Sequence, residues 1–418
     1  MKRFVLSLLA AGVSAVAGLQ ASGYGSCNSC CDPCCDPCPS WCCGSFEVGG
    51  QWIYLRPTSC DFDFVIKDPR TLDTSITTGD NSPADWAGFL PQGKSHGIDP
   101  DYESGFRVSL GYIMDCSCYD VRVEYTYLHP CDRSRVYGDA LTNALWPTYM
   151  HPRYSQNLEF VMGNNTLTTF ETPIFSGTPS ITDAEAVDAF AWSSVKFDYD
   201  AVDLQFGSRG YKSNCLWLRT YAGLHFMNLD HRHKAHYRGV FWGVDNFDDG
   251  VVAEANNVAG FFDTFVKWTK NTWGIGPLFG LDARYEVACG FGIGGHFGAA
   301  ILAGETDGKM FEHDTRNFSD GQGILNRGDF SGFDIDETLD VRHDHRNLLF
   351  PYLRASLGVN YLWCCGNCLK VLVEVGYEFN SYINTIGQFR FNDERGTGMA
   401  NCYSFNLDGI YVSVRATI

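Results

Sequence analysis

The residues best equipped for chemistry are cysteines. The stretch CNSCCDPCCDPCPSWCCG packs Cys27, Cys30, Cys31, Cys34, Cys35, Cys38, Cys42 and Cys43 into a short leader, out of 18 cysteines in the whole chain. Thiols at such spacings can hold zinc or an iron–sulfur cluster, exchange disulfides, or act as covalent straps. The compartment decides among these, because disulfides persist in oxidising surroundings and are rare in the cytosol. The chain opens MKRFVLSLLAAGVSAVAGLQASG, with Lys2 and Arg3, an uncharged apolar run to Leu19, and then small residues. That order predicts an export signal over residues 1–21, with no stop-transfer pattern behind it. Residues 22–44 follow as a Cys/Pro-rich periplasmic leader, and residues 45–418 as the body of the protein. Export favours cross-linking over metal. Each proline holds its preceding residue extended, so the CysCysAspPro repeats read as a stiff tether whose thiols bond elsewhere.

Other clusters offer less. In LHFMNLDHRHKAHYR, His231 and His233 would share a strand face and could ligate a metal, while His225 and His236 flank them; the plainer reading is a polar upper strand and loop edge. The acidic run Asp329–Arg346 lacks the spacing of a calcium loop and reads as solvated. Gly292, Gly294 and Gly295 precede no helical pattern, so they do not form a phosphate loop; a strand glycine admits a neighbouring side chain. Nucleophile, base and orienting group do not assemble from the sequence. No enzymatic activity, no cofactor and no metal are expected.

The elements that position these residues show in a period of two. The segment YDVRVEYTY sets Tyr119, Val121, Val123, Tyr125 and Tyr127 on one face, against Asp120, Arg122, Glu124 and Thr126. The same alternation recurs in Arg107–Tyr112, Ala201–Phe206, Leu216–Phe226, Ile275–Val287, Leu353–Tyr361, Cys368–Phe379 and Ile410–Ile418. Adding Ser45–Arg56 and Phe291–Ala303 gives about ten strands. No apolar run after the signal is long enough for a membrane helix, while aromatics reach 15% and glycine 44 residues. Short connections (Asp115–Cys118, Lys212–Asn214, Ala288–Gly290, Cys364–Asn367) alternate with long ones (Cys60–Tyr102, Cys131–Phe197, Gly239–Phe262, Thr306–Arg346, Asn384–Tyr403). An all-β transmembrane antiparallel barrel with short periplasmic turns and long extracellular loops has this rhythm. The main competitor is a secreted β-sandwich. A count of twelve to sixteen strands stays open, since a further hairpin around Leu158–Thr169 could hide in the longest connection.

That topology sorts the side chains. Arg107, Arg122, Arg219, Arg284, Arg354, Lys370 and Arg415 would line the lumen with Asp120, Glu124, Asp203, Asp282, Glu286, Glu374 and Glu378, giving a nearly neutral interior. Ten strands lie close to the number whose interior is filled by side chains, so restricted diffusion of small solutes is expected rather than a wide pore. The leader cysteines and Cys116, Cys118, Cys215, Cys289, Cys364, Cys365 and Cys368 would face the periplasm. Cys60, Cys131 and Cys402 are left for the other rim, where barrel closure predicts a Cys60–Cys402 disulfide. Net charge is −18, and loss of Lys2 and Arg3 with the signal takes it to −20; an acidic surface argues against nucleic acid.

The segment WGIGPLFGLDARYEVACGFGIGGHFGAAILAGE, Trp273–Glu305, resembles the Legionella-type major outer membrane protein family, with its Trp-Gly-x-Gly-Pro-x-x-Gly strand followed by a Gly-rich strand. FEVGGQWIYLRP, GFRVSLGY, DVRVEYTYLH and VEVGYEFN are similar in kind and order. The resemblance implies a pore-forming barrel in the outer membrane of a Gram-negative bacterium, surrounded by outer-membrane lipid. The cysteine load departs from that pattern and resembles chlamydial-type major outer membrane proteins, which implies disulfide-linked copies of the chain or other cysteine-rich envelope proteins as partners. The terminal Ile418 stands where many such barrels carry an aromatic. A homo-oligomer is a habit of porins that no residue here specifies. Two rivals to the porin reading are a surface adhesin or antigen acting through its loops, and a purely structural envelope protein with a closed lumen.

Overall fold

The computed structural model describes residues 44–58, 62–68, 93–114, 118–138, 144–148, 160–162, 165–167, 189–213, 215–247, 254–288, 290–320, 334–365, 369–391 and 398–418. Residues 1–43, on which the expected signal and nearly all of the expected leader fall, and Cys60, Cys116, Cys289 and Cys368 lie outside them. Among the described residues there is no helix. The strands are β1 (Ser45–Thr58), β2 (Asp63–Asp68), β3 (Lys94–Gly97), β4 (Glu103–Ile113), β5 (Tyr119–Leu128), β6 (Cys131–Tyr137), β7 (Ala144–Pro147), β8 (Phe160–Met162), β9 (Asn165–Leu167), β10 (Phe190–Ser213), β11 (Leu216–Phe247), β12 (Glu254–Ala288), β13 (Phe291–Asp320), β14 (Asp334–Cys365), β15 (Leu369–Phe391) and β16 (Gly398–Thr417).

Ten of these close a ring in the order β1-β4-β5-β10-β11-β12-β13-β14-β15-β16, with β16 returning to β1. Every pairing is antiparallel, and the seam runs in register from Glu47↔Thr417 to Thr58↔Asn406. Phe46 and Ile418 exchange backbone hydrogen bonds of 2.9 Å at its lower end. At the level of the belt closure leaves no sheet edge exposed, as hydrocarbon demands of any strand-built span. β6 continues β5 beyond His129–Pro130: β10 pairs with Leu128 through Tyr199 and with Cys131 through Lys196. Pro130 has no N–H to donate, so the ladder breaks there while the chain runs on.

Alternation produces the two faces. In β5 the even-numbered residues are buried and the odd-numbered ones point outward. The outward face forms an apolar belt in which Leu110, Val123, Leu357 and Val359 are exposed. Aromatic pairs edge this belt. Near the short turns stand Phe46–Tyr112, Tyr119–Phe206 and Phe291–Tyr361, with centroids 5.1, 5.6 and 4.7 Å apart. On the far side stand Tyr54–Tyr102 and Phe106–Tyr127 at 5.4 and 5.5 Å. Two aromatic girdles flanking an apolar band mark the two membrane interfaces.

Three features add to these expectations. The connections between β11 and β12 and between β13 and β14 are largely strand: β11 to β14 run 32, 35, 30 and 32 residues, against about ten needed to cross a bilayer. The wall therefore continues far beyond the belt, because each upper segment keeps a neighbour to pair with. The short hairpin β8–β9 does form within the longest connection, as a separate two-stranded sheet, and the ring holds ten strands. The lumen is not polar throughout. A small sheet, β3-β2-β7, buries Phe64, Val65 and Leu145, and the Tyr237 hydroxyl on the upper inner wall donates to the Phe64 carbonyl at 2.7 Å. From the girdle upward apolar and aromatic side chains enter the interior, with Phe197, Phe350, Phe405, Ile53 and Leu55 all buried, beside buried polar groups such as His231 and His233.

The glycines of the Trp273 motif allow close backbone approach. A Cβ at Gly276 would lie 1.9 Å from the Ile301 carbonyl oxygen, and Pro277 next to it offers no N–H to the ladder.

Candidate functional site: an ionic plug within the belt

At membrane level the inner wall carries charge, and the charges meet. Arg107 forks onto Glu378 with contacts of 2.8 and 3.0 Å, and also donates to Thr126 and Gln51. Arg354 donates to Glu124 at 2.6 Å and lies 3.8 Å from Asp203 and 3.7 Å from Glu378. Arg107 reaches the same Glu124 at 3.3 Å. A second group lies nearer the turns. Arg219 binds Asp120 at 2.7 Å and Asp282 at 3.0 Å, while Arg122 binds Glu47 at 2.6 Å and Asp282 at 3.5 Å. Arg209 bridges Asp120 at 2.7 Å and Glu47 at 3.5 Å.

Most of these groups are nearly or wholly withdrawn from solvent, and Arg219 is fully buried. A lone charge there would cost several kcal/mol, which is why each is paired and further hydrogen-bonded. Two histidines join the network: His296 contacts Asp282 at 2.6 Å, and His225 contacts Asp203. From His225 an aromatic stack rises into the apolar half. Tyr352 lies parallel to it at 4.2 Å, Tyr382 bonds its other ring nitrogen at 3.0 Å, and Tyr199 meets Tyr382 at 2.6 Å.

Of the residues expected to line the lumen, Arg107, Asp120, Arg122, Glu124, Asp203, Arg219, Asp282, Arg354 and Glu378 lie in this plug. Arg284 pairs with Glu286 at 3.0 Å lower down. Glu374 accepts from the Tyr411 hydroxyl, and Arg415 packs beside Gly49. Lys370 shares the inward parity but stands exposed at the lower rim. Glu47, Arg209 and His296 were missed. The alternation of β1 and an extension of the β10 pattern past Phe206 would have placed the first two inward.

Higher up, outside the membrane, His231 and His233 both point inward and are buried. His233 shares a 2.6 Å hydrogen bond with Ser193, and His231 lies flat against Phe197 at 4.6 Å with neither ring nitrogen bonded. Burial drives the His231 imidazole well below its ordinary pKa, aided by the neighbouring His233 and Lys270, and pushes His233 down to about 3. Among the described residues no three metal-ligating side chains converge. His236 turns outward and binds Asp263 at 2.6 Å.

Cys118 and Cys215 are exposed in the short-turn region, and Cys131 is exposed on the outer wall above the belt. Cys364, Cys365 and Cys402 lie in strands β14 and β16; the proposed Cys60–Cys402 pairing falls outside the described residues because Cys60 does.

A closed ring of ten antiparallel strands, with an apolar belt outside and an ionic plug inside, defines a transmembrane β-barrel. The chain belongs to the family of the Legionella pneumophila major outer membrane protein precursor, whose family model matches residues 37–418; it is an outer-membrane β-barrel protein. No curated protein sequence matches it closely enough to define a relative. Among solved structures it is similar to the outer membrane protease OmpT from Escherichia coli, at 8% identity and a TM-score of 0.34, covering 89% of this chain and 96% of that one. It is also similar to a Pseudomonas aeruginosa FadL homologue, at 10% identity and a TM-score of 0.22, covering 90% of each chain. A variant of the TodX monoaromatic hydrocarbon channel matches at 8% identity and a TM-score of 0.22, again covering 90% of each chain.

Proposed function

We propose that the barrel is a porin-like conduit of low capacity for small solutes in the Gram-negative outer membrane. One observation carries this reading: the plug arginines each reach at least two carboxylates. Arg107 can exchange Glu378 for Glu124, Arg219 can exchange Asp120 for Asp282, and Arg122 can exchange Glu47 for Asp282. Re-pairing shifts side chains without stranding a charge, so the plug can part and close at a cost below that of a broken buried pair. The aromatic upper lumen and the β3-β2-β7 sheet form a second barrier in series. Passage is therefore slow and size-limited. The proposal includes no catalytic step.

The same reading gives the short-turn rim, with exposed Cys118 and Cys215, a periplasmic position. There it joins the leader cysteines in disulfides to other copies of the chain or to cysteine-rich envelope proteins. Planar-bilayer recording of the refolded protein tests the conduit: small, infrequent discrete openings are expected, more frequent in Glu124→Gln. Silent bilayers for both proteins would leave a closed structural or adhesive barrel as the reading. Non-reducing electrophoresis of native envelopes tests the cross-links, and migration only as monomer would end that part.

A further inference from the structure

We infer that the outer wall above the aromatic girdle holds a binding site for the phosphorylated saccharide headgroup of an outer-leaflet glycolipid. The inference starts from an unfavourable pairing. Lys234 on β11 stands directly opposite Lys267 on β12, both on the outward face and both exposed. Like charges facing each other across a sheet destabilise it. Among the described residues no carboxylate pairs with either lysine. One row nearer the membrane the same wall treats its cations differently: Arg232 binds Asp230 at 2.6 Å, and Lys196 lies 3.7 Å from Asp198. In a chain of net charge −18, two adjacent cations without acids call for an anion from elsewhere.

A recess adjoins them. About 410 Å³ of space is bounded by Phe265, Lys267, Thr269, Lys309 and Phe311 on the outward faces of β12 and β13. Lys309 adds a third cation, partly occupied by Asp340 at 3.1 Å. Two ammonium groups and a hydroxyl beside two phenyl rings suit a ligand with phosphates and apolar sugar faces: phosphate takes the lysines, and a pyranose face lies against a ring.

The height of the site selects the source. Trp273, half-exposed on β12, stands at the level of the upper girdle; Thr269 and its partner Lys309 lie four residues beyond it, and Lys267 six. At about 3.3 Å per residue and a tilt of about 40°, these rows stand about 10 and 15 Å above the girdle. Lysine side chains reach back toward the interface. The site therefore faces the headgroup and sugar layer on the long-connection side, away from the hydrocarbon and from the periplasmic leaflet. It rests on the barrel's orientation alone and is independent of solute passage.

The test uses the full mature chain refolded in detergent, with folding of each variant checked by heat-modifiable electrophoretic mobility. Native mass spectrometry counts bound glycolipid carrying its phosphates. Wild type is expected to retain one glycolipid, Lys234→Gln/Lys267→Gln to lose at least tenfold in affinity, and Lys267→Arg to keep it. Enzymatically dephosphorylated glycolipid should bind at least tenfold more weakly. Equal retention by wild type and the double glutamine variant overturns the site, as does equal binding of the dephosphorylated lipid. Inorganic pyrophosphate that competes as well as the glycolipid also overturns it, in favour of a free-anion site.

Discussion

Acidification from pH 7.5 to 5 should loosen the upper barrel through two histidines. His231 and His233 lie outside the membrane, buried on the inner wall, and are faced by Phe62, Phe197, Ser193 and the cross-strand Lys270. Both are neutral when folded: His233 is pushed down to about 3 by burial, and His231 is held well below its ordinary value. In the unfolded chain each takes up a proton near pH 6.5. The unfolded state thus binds more protons between about pH 3 and 6.5, so stability is full above that window and falls as the pH descends through it. At pH 5, about 1.5 units below the unfolded value, His233 removes about 2 kcal/mol at about 1.4 kcal/mol per unit. His231, also held neutral by burial, adds to the loss in the same direction. Urea midpoints of the refolded barrel, followed by tryptophan fluorescence from pH 8 to 5, measure the loss. The double variant His231→Phe/His233→Gln should lose most of this slope. Equal stability of wild type at pH 7.5 and 5, or an unchanged slope in the variant, refutes the reasoning.

Three further outcomes follow from the same geometry. Arg219→Ala leaves Asp120 to Arg209 alone and Asp282 to Arg122 and His296, and should cost about 3 kcal/mol in the same urea titration, the lower end of the range for breaking a buried pair; a loss below about 1 kcal/mol would mean that water enters the plug. Gly276→Ala drives a methyl group into the Ile301 carbonyl 1.9 Å away and should sharply lower the yield of heat-modifiable folded barrel, whereas Gly50→Ala, with nothing within 4 Å, should leave it unchanged. A membrane-impermeant maleimide should label Cys131 on intact cells, and Cys118 and Cys215 only after the envelope is opened and reduced; labelling of Cys118 on intact cells would reverse the orientation.

The belt was legible because its chemistry has a period of two. YDVRVEYTY and VEVGYEF alternate, and the inward charges could be read from parity alone. Their mutual contacts could not, since Arg107 and Glu378 meet across a lumen that no local pattern describes. The extended walls were hidden for a related reason. Above the belt both faces meet water or packed aromatics, so HRHKAHYR and TDGKMFEHDTRNF show no clean alternation; these residues are strand because neighbouring strands pair with them. The inserted sheet was still less accessible. Its strands are four to six residues long and come from Asp63–Asp68, Lys94–Gly97 and Ala144–Pro147, segments far apart in sequence whose pairing no local pattern announces. His231 and His233 gave their shared face to sequence reasoning and withheld their partners.

The seam between the first and last strands has a bearing on biogenesis. The neighbour that completes β1 is β16, the last strand of the ring to be made, so until β16 arrives the leading strand travels with one row of amides and carbonyls unmatched. Such a strand must be kept from pairing with strangers until its partner arrives, and pairing between strands so far apart in sequence is slow. Shortening the protein from the carboxyl end would accordingly leave an open, sticky sheet in place of a smaller pore.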